Sequence, residues 1–188
     1  MTATPTLRPP PGRTKPDSVR GAIFFDRDGV LNVDSGFVHR AEDFRWIEGA
    51  REAVKLVNNA GLYVIVATNQ SGVARGYYGE EDVKRLHSWI ARDLAQHGAH
   101  IDAFYYCPYL DEANVAAYRI VDHPDRKPNP GMIMRALSDF GVDPGRAVLI
   151  GDKASDLEAA RRAGVSARLF TGGSLATMVA EVLAGMGC

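Results

Sequence analysis

Apolar residues fall into two rhythms along this chain. Short unbroken apolar runs occur at Ala22-Ile23-Phe24-Phe25, at Tyr63-Val64-Ile65-Val66-Ala67, over 103–106 and at Val148-Leu149-Ile150, and 167–170 makes a fifth short strand. They read as buried strands. Between them the apolar positions recur every three or four residues. Ala50, Ala53, Val54 and Val57 share one face of a helix over 48–59, with Gly61 where a C-terminal cap belongs. Val83, Leu86, Trp89, Ile90 and Leu94 do the same over 80–97, closed by Gly98. Further helices are expected over 131–140, behind Asn129-Pro130, over 155–163, stopped by Gly164, and over 174–183. Strands separated by helices call for right-handed crossovers and a parallel sheet, hence a Rossmann-like three-layer α/β/α domain.

With 188 residues and 46% hydrophobic content, the chain can bury one substantial core, and 21–188 reads as one domain. The first twenty residues, with Pro9-Pro10-Pro11 and scattered Arg and Lys, lack both a helical pattern and the apolar centre of a signal peptide, so 1–20 is expected to be a disordered arm. No segment suits a membrane span. A net charge of −1, from 22 basic against 23 acidic residues, leaves no footprint for nucleic acid or an anionic membrane surface. Two cysteines, Cys107 and Cys188, form no disulfide framework and suit a reducing cytoplasm, with Cys188 an ordinary exposed thiol.

The chemistry gathers where strands end. Asp26-Arg27-Asp28-Gly29 follows the first strand, Thr68-Asn69-Gln70-Ser71 the second, and Gly151-Asp152-Lys153 the fourth, while Asp125-Arg126-Lys127-Pro128 precedes a helix. In an open α/β sheet the crevice beyond the carboxyl ends of the strands binds ligands, so these segments converge on one rim. Each alone is common turn or surface material. Neither a dinucleotide Gly-x-Gly-x-x-Gly nor a P-loop is present.

Taken together, Asp26-x-Asp28-Gly29, Thr68, Lys127 and Gly151-Asp152 with Asp156 resemble the four motifs of the haloacid dehalogenase-like superfamily of aspartyl-phosphate phosphohydrolases. The runs Phe25 to Asn32, Asp34 to His39, Thr68 to Gly76, Tyr105 to Pro108, Arg126-Lys127-Pro128 and Gly151-Asp152-Lys153 are similar to the D-glycero-D-manno-heptose 1,7-bisphosphate phosphatase group, with histidinol-phosphate phosphatases nearby. The resemblance implies Asp26 as nucleophile, Asp28 as acid and base, and Thr68 and Lys127 cradling the transferring phosphoryl group. It implies Mg²⁺ held through Asp26, the backbone carbonyl of Asp28 and Asp152. Substrate contacts are implied at Asp34, Ser35, Gly36, Phe37, Thr68, Asn69, Gln70, Ser71, Arg126, Lys127 and Lys153. Asp156 is a helix-start or orienting residue in preference to a direct ligand.

The intervals between motifs leave no room for a separate cap domain, so selectivity falls to loops over 34–39, 71–78 and 109–125. Many relatives carry a structural zinc in the loop after the third strand. Here Cys107 remains, Tyr109 stands at the His place and His123-Pro124-Asp125 at the Cys-x-Cys place, so zinc is expected to be absent. Trp46 and Trp89 are expected to pack, and His87, His97 and His100 to face solvent. The expectation is a cytoplasmic, monomeric, Mg²⁺-dependent phosphatase of a small phosphosugar, with heptose 1,7-bisphosphate preferred. The alternatives are a histidinol-phosphate phosphatase, a phosphomutase, which would be expected to carry a cap, and a non-catalytic phosphate-binding regulatory module.

Overall fold

The computed structural model describes residues 20–187; the expected arm lies outside them up to residue 19, and so does Cys188. Arg20, assigned to the arm from sequence, instead donates to the Gly61 carbonyl and lies over the Tyr63 ring. In chain order the main elements are β1 (Ala22–Phe25), α1 (Ala50–Asn59), β2 (Tyr63–Asn69), α2 (Gly72–Arg75), α3 (Glu80–Gln96) and β3 (Ala103–Cys107). There follow α4 (Gly131–Phe140), β4 (Ala147–Gly151), α5 (Ala154–Arg162), β5 (Ser166–Leu169) and α6 (Leu175–Met186).

The five strands form one parallel sheet in the order β3-β2-β1-β4-β5. Side chains alternate across it. Ile23, Phe25, Val64, Val66, Val148 and Ile150 cluster with the apolar stripes of α1, α3 and α6. Ala22, Phe24, Ile65, Ala67 and Leu149 cluster with those of α4 and α5 on the other face. With both faces covered, the inner strands β1, β2 and β4 tolerate no unpaired polar group within the sheet, which is why their runs are apolar, whereas the edge strand β5 is largely exposed and carries Ser166 and Arg168. No inserted unit interrupts the described residues. The stretch from β1 to β2 holds α1 and a 3-10 turn over Ala41–Asp43, and that from β3 to α4 holds only a second such turn over Ala116–Tyr118. None of the described helices is long and apolar enough to cross a membrane.

Three sequence expectations need correction. α6 continues to Met186, three residues beyond the expected stop, and α2 is a single turn too short to show a period. His87 is fully buried, whereas the side chains of His97 and His100 are 48% and 60% exposed. Position 87 lies one turn from Val83 and from Ile90, on the inner face of α3, where its ring stacks on Phe104 at 4.4 Å. Trp46 and Trp89 pack against the core as expected.

Candidate active site

β1 and β4 are neighbours, yet the chain leaves β1 toward β2 on one side and β4 toward β5 on the other. That reversal opens a crevice beyond their carboxyl ends. Asp26 stands at its floor, its backbone N–H donating to Ile150 at 3.0 Å. Gly29 turns the chain back with φ of 94°, and a Cβ there would collide with the Asp152 carboxylate. Glycine therefore lets the ends of β1 and β4 bring Asp26 and Asp152 together.

A buried ion cluster underlies the crevice. The Lys127 ammonium lies 2.9 Å from Asp26 Oδ1 and 2.5 Å from Asp156 Oδ1, and donates to the Ala67 carbonyl at 2.8 Å. Burial pushes the Asp26 carboxyl up to about 6, against the pull of Lys127 and with the push of Asp156. Burial alone would lower Lys127, but the two carboxylates outweigh it and hold the ammonium above its ordinary value. Asn69 fixes this lysine through a reciprocal pair, donating to the Lys127 carbonyl at 3.0 Å and accepting its N–H at 3.1 Å. The end of β2 thus sets the height of Lys127.

Asp28 is held by three neighbours. Arg27 reaches its two oxygens at 2.8 and 3.0 Å, Asn32 donates at 3.0 Å and Gln70 at 2.9 Å. Gln70 also donates to the Thr68 hydroxyl at 3.1 Å and accepts from the Tyr78 hydroxyl at 3.0 Å. Its orientation is fixed at both ends.

Above these groups lies a cavity of about 280 Å³, lined by Asp26, Asp28, Asp34, Gly36, Phe37, Thr68, Asn69, Gln70, Ser71, Tyr78, Lys127, Lys153, Ser155 and Asp156. Most of the sequence candidates converge on it. Ser35 does not; with Val38 and Arg45 it lines a second hollow that Gly36 and Phe37 also border. Arg126 is also absent from the lining, its guanidinium donating to the Tyr109 carbonyl at 3.2 Å. Asp152 sits behind Gly29 rather than on the wall. At the mouth Lys153 and Asp34 pair at 3.0 Å. Burial opposes that pairing, but Lys153 still holds the Asp34 carboxyl below its ordinary value, and Asp34 with Asp152 holds the ammonium above its own. Phe37, with φ of 55°, meets Tyr77 edge-on at 4.8 Å beneath the Arg75 guanidinium.

Carboxylate oxygens of Asp26, Asp152 and Asp156 lie within 4.8 Å of one another. Asp152 Oδ1 is buried without a hydrogen-bond partner, a costly state that a hard cation would relieve. Asp156 is otherwise engaged, one oxygen on Lys127 and the other accepting the Lys153 N–H at 3.0 Å at the start of α5. The oxygen chemistry and spacing fit Mg²⁺, and Asp26 and Asp152 offer the carboxylate oxygens least committed to other partners.

The loop after β3 is organised differently. Cys107 Sγ lies 3.9 Å from His123 Nδ1, but that nitrogen also accepts the Asp125 N–H at 3.0 Å. Both Asp125 oxygens take the Arg135 guanidinium at 2.9 and 3.1 Å, and Tyr109 stacks on His123 at 4.1 Å. Burial pushes the Cys107 thiol up to about 12. Neutral thiol, stacked imidazole and paired carboxylate make a packed loop.

Sequence reasoning passed over Arg27, Asn32 and Ser155, and reached Tyr78 only as the end of the 71–78 loop. Arg27 and Asn32 gave one available signal, since polar residues flanking an apolar run near two acids must find partners when the turn is buried. Tyr78 gave none.

Comparison with known proteins adds to this geometry. The HAD-hydrolase-like family model matches residues 125–183. The chain is 44% identical over 165 residues, 87% of its length and 91% of the relative's, to a D-glycero-beta-D-manno-heptose-1,7-bisphosphate 7-phosphatase of Rhodopseudomonas palustris. It is 44% identical over 149 residues, 79% of its length and 78% of the relative's, to a D-glycero-alpha-D-manno-heptose-1,7-bisphosphate 7-phosphatase of Burkholderia mallei. Among solved structures, D,D-heptose 1,7-bisphosphate phosphatase from B. bronchiseptica, complexed with magnesium and phosphate, superposes with a TM-score of 0.76 at 30% identity, covering 88% of this chain and 99% of that one.

Proposed function

The chain belongs to the HAD-like hydrolases, within the heptose-1,7-bisphosphate 7-phosphatase family, and from that premise we propose that it is a Mg²⁺-dependent phosphatase that removes the 7-phosphate of D-glycero-D-manno-heptose 1,7-bisphosphate. The observation that carries this reading is the buried Lys127 between Asp26 and Asp156, beside an unpartnered Asp152 oxygen, at the switch point of the sheet. Residues 21–188 act as a single monomeric catalytic unit in the cytoplasm, without nucleic-acid or membrane partners.

Asp26 attacks phosphorus in line with the leaving C7 oxygen and forms an aspartyl-phosphate. Asp28 gives a proton to that alkoxide, then takes one from the water that hydrolyses the phosphoenzyme. Lys127 and the Thr68 hydroxyl receive the charge on the transferring oxygens, with Lys127 held in place from both sides. When bound by Asp26 and Asp152, Mg²⁺ supplies the positive charge that lets a carboxylate approach a phosphate dianion. Lys153, Ser71 and Gly36 border the space for the sugar, and Arg126 reaches the distal phosphate only if its bond to Tyr109 is exchanged. The histidinol-phosphate alternative needs a free acid for an amine, and Asp34 is already neutralised by Lys153.

Release of inorganic phosphate from the bisphosphate is expected to require Mg²⁺ and to stop with chelator; turnover unaffected by chelator would contradict the reading. The elevated Asp26 value sets a pH signature. Its folded value of about 6 exceeds the ordinary 3.8, so in metal-free protein its proton stabilises the fold below the ordinary value, and that contribution is lost as pH rises through about 6. Mg²⁺ competes with this proton, so its stabilising effect on Tm is expected to be larger at about pH 7.5 than at about pH 5. Equal Mg²⁺ shifts at the two pH values would show that Asp26 is not a ligand.

Zinc is expected to be absent because the loop's donors are already paired or neutral. Elemental analysis of untreated protein should find substoichiometric zinc, and one tightly held equivalent would refute the expectation.

A further inference from the structure

The Arg27 side chain is the bulkiest among the fully buried ones in the described residues. A guanidinium is expensive to bury, and a side chain of similar volume without charge would often serve packing as well. Its contacts suggest another reason for its presence. Its Nη2 lies 2.8 and 3.0 Å from the two Asp28 oxygens, which share one of its protons, and 2.6 Å from the Val38 carbonyl, while Nε donates to Asp28 Oδ1 at 3.3 Å. Its Nη1 faces His87 Nε2 at 3.4 Å. Because the guanidinium can only donate, Nε2 accepts and the imidazole proton resides on Nδ1. The His87 ring, stacked on Phe104, backs the planar fork from the core.

Val38 belongs to the same loop as Asp34, Gly36 and Phe37, which line the cavity. We propose that Arg27 is a positioning residue that registers the substrate loop over 34–39 to the Asp28 carboxylate, so that the loop's grip on the sugar sets where the proton is delivered. This inference rests on the reading of Asp28 as the acid and base. A lysine could keep the charge at position 27, but a point charge on a flexible stem cannot reproduce the rigid Nε and Nη2 edge that grips Asp28 while Nη2 also reaches the Val38 carbonyl.

A group that acts through the proton donor matters in proportion to how badly the leaving group needs a proton. The test compares kcat/KM, which reports the steps through phosphorylation of Asp26, for heptose 1,7-bisphosphate and for p-nitrophenyl phosphate, whose phenolate leaves without help. Arg27→Lys is expected to lower the value about 100-fold for the alkyl ester and by about threefold or less for the aryl ester. Arg27→Gln, which removes the buried charge, is the second variant should the lysine variant fail to fold, and it is expected to show the same split. Asp28→Asn serves as the reference. If Asp28→Asn shows the split and the folded Arg27 variants lose equally on both esters, or lose nothing, Arg27 does not act through Asp28 and the inference fails alone. If Asp28→Asn shows no split, the acid and base reading fails and carries the inference with it.

Discussion

Asp26→Asn is expected to lower turnover of the bisphosphate by more than about 10⁴-fold while leaving a folded protein. The amide keeps the size of the side chain but cannot attack phosphorus. Its burial even favours the change, since the desolvation that pushes the Asp26 carboxyl up to about 6 is relieved when the group is neutral. Lys127 retains Asp156 as a counter-ion. The expected signature is therefore lost activity at nearly unchanged Tm, measured on protein whose mass excludes deamidation. Steady turnover within tenfold or so of the parent would remove Asp26 as the nucleophile.

Lys127→Met should be the most damaging change that leaves both acids in place. The variant keeps the volume of the stem and deletes the ammonium, so Asp26 and Asp156 face each other in a buried site with no cation between them. Removing one partner of a buried ion cluster costs about 3–5 kcal/mol, and loss of a charge-stabilising donor costs about 10²–10³-fold in kcat. The stability loss should also depend on pH. Without the pull of Lys127 the buried Asp26 carboxyl binds its proton still more tightly in the folded than in the unfolded chain, so stability should recover as pH falls from about 7 to about 5. Denaturant melts in chelator at the two pH values measure this. A variant as stable as the parent at both would contradict the electrostatic account of the cluster.

How much of this was legible in the sequence depends on the kind of force involved. Strands β1, β2 and β4 could be read because a sheet covered on both faces admits only apolar residues, and the acids announced themselves by interrupting those runs. Asp26, Asp28, Thr68 and Lys127 all line the cavity, but the link between Lys127 and Asn69 is a contact across 58 residues with no local signature. His87 carried a readable period that its polar identity concealed, since it lies between Val83 and Ile90 on the inner face of α3. Burial there is decided by the neighbouring Arg27 and Phe104, which only the tertiary fold supplies. Arg126 shows the opposite limit. The family resemblance implied that it would meet the substrate, whereas its guanidinium donates to the Tyr109 carbonyl. Ser35 falls outside the cavity that Gly36 and Phe37 line, although all three border the second hollow, because the loop turns through a left-handed conformation at Gly36 and Phe37 that apolar patterning does not encode.

The central claim is a Mg²⁺-dependent phosphatase that takes the 7-phosphate of a heptose bisphosphate. The direct measurement is phosphorus NMR of the purified protein with Mg²⁺ and an equimolar mixture of D-glycero-D-manno-heptose 1,7-bisphosphate and histidinol phosphate. The account predicts that the C7 phosphorus signal converts to inorganic phosphate while the C1 phosphate and histidinol phosphate persist; preferential loss of histidinol phosphate, or of the C1 phosphate, would contradict it.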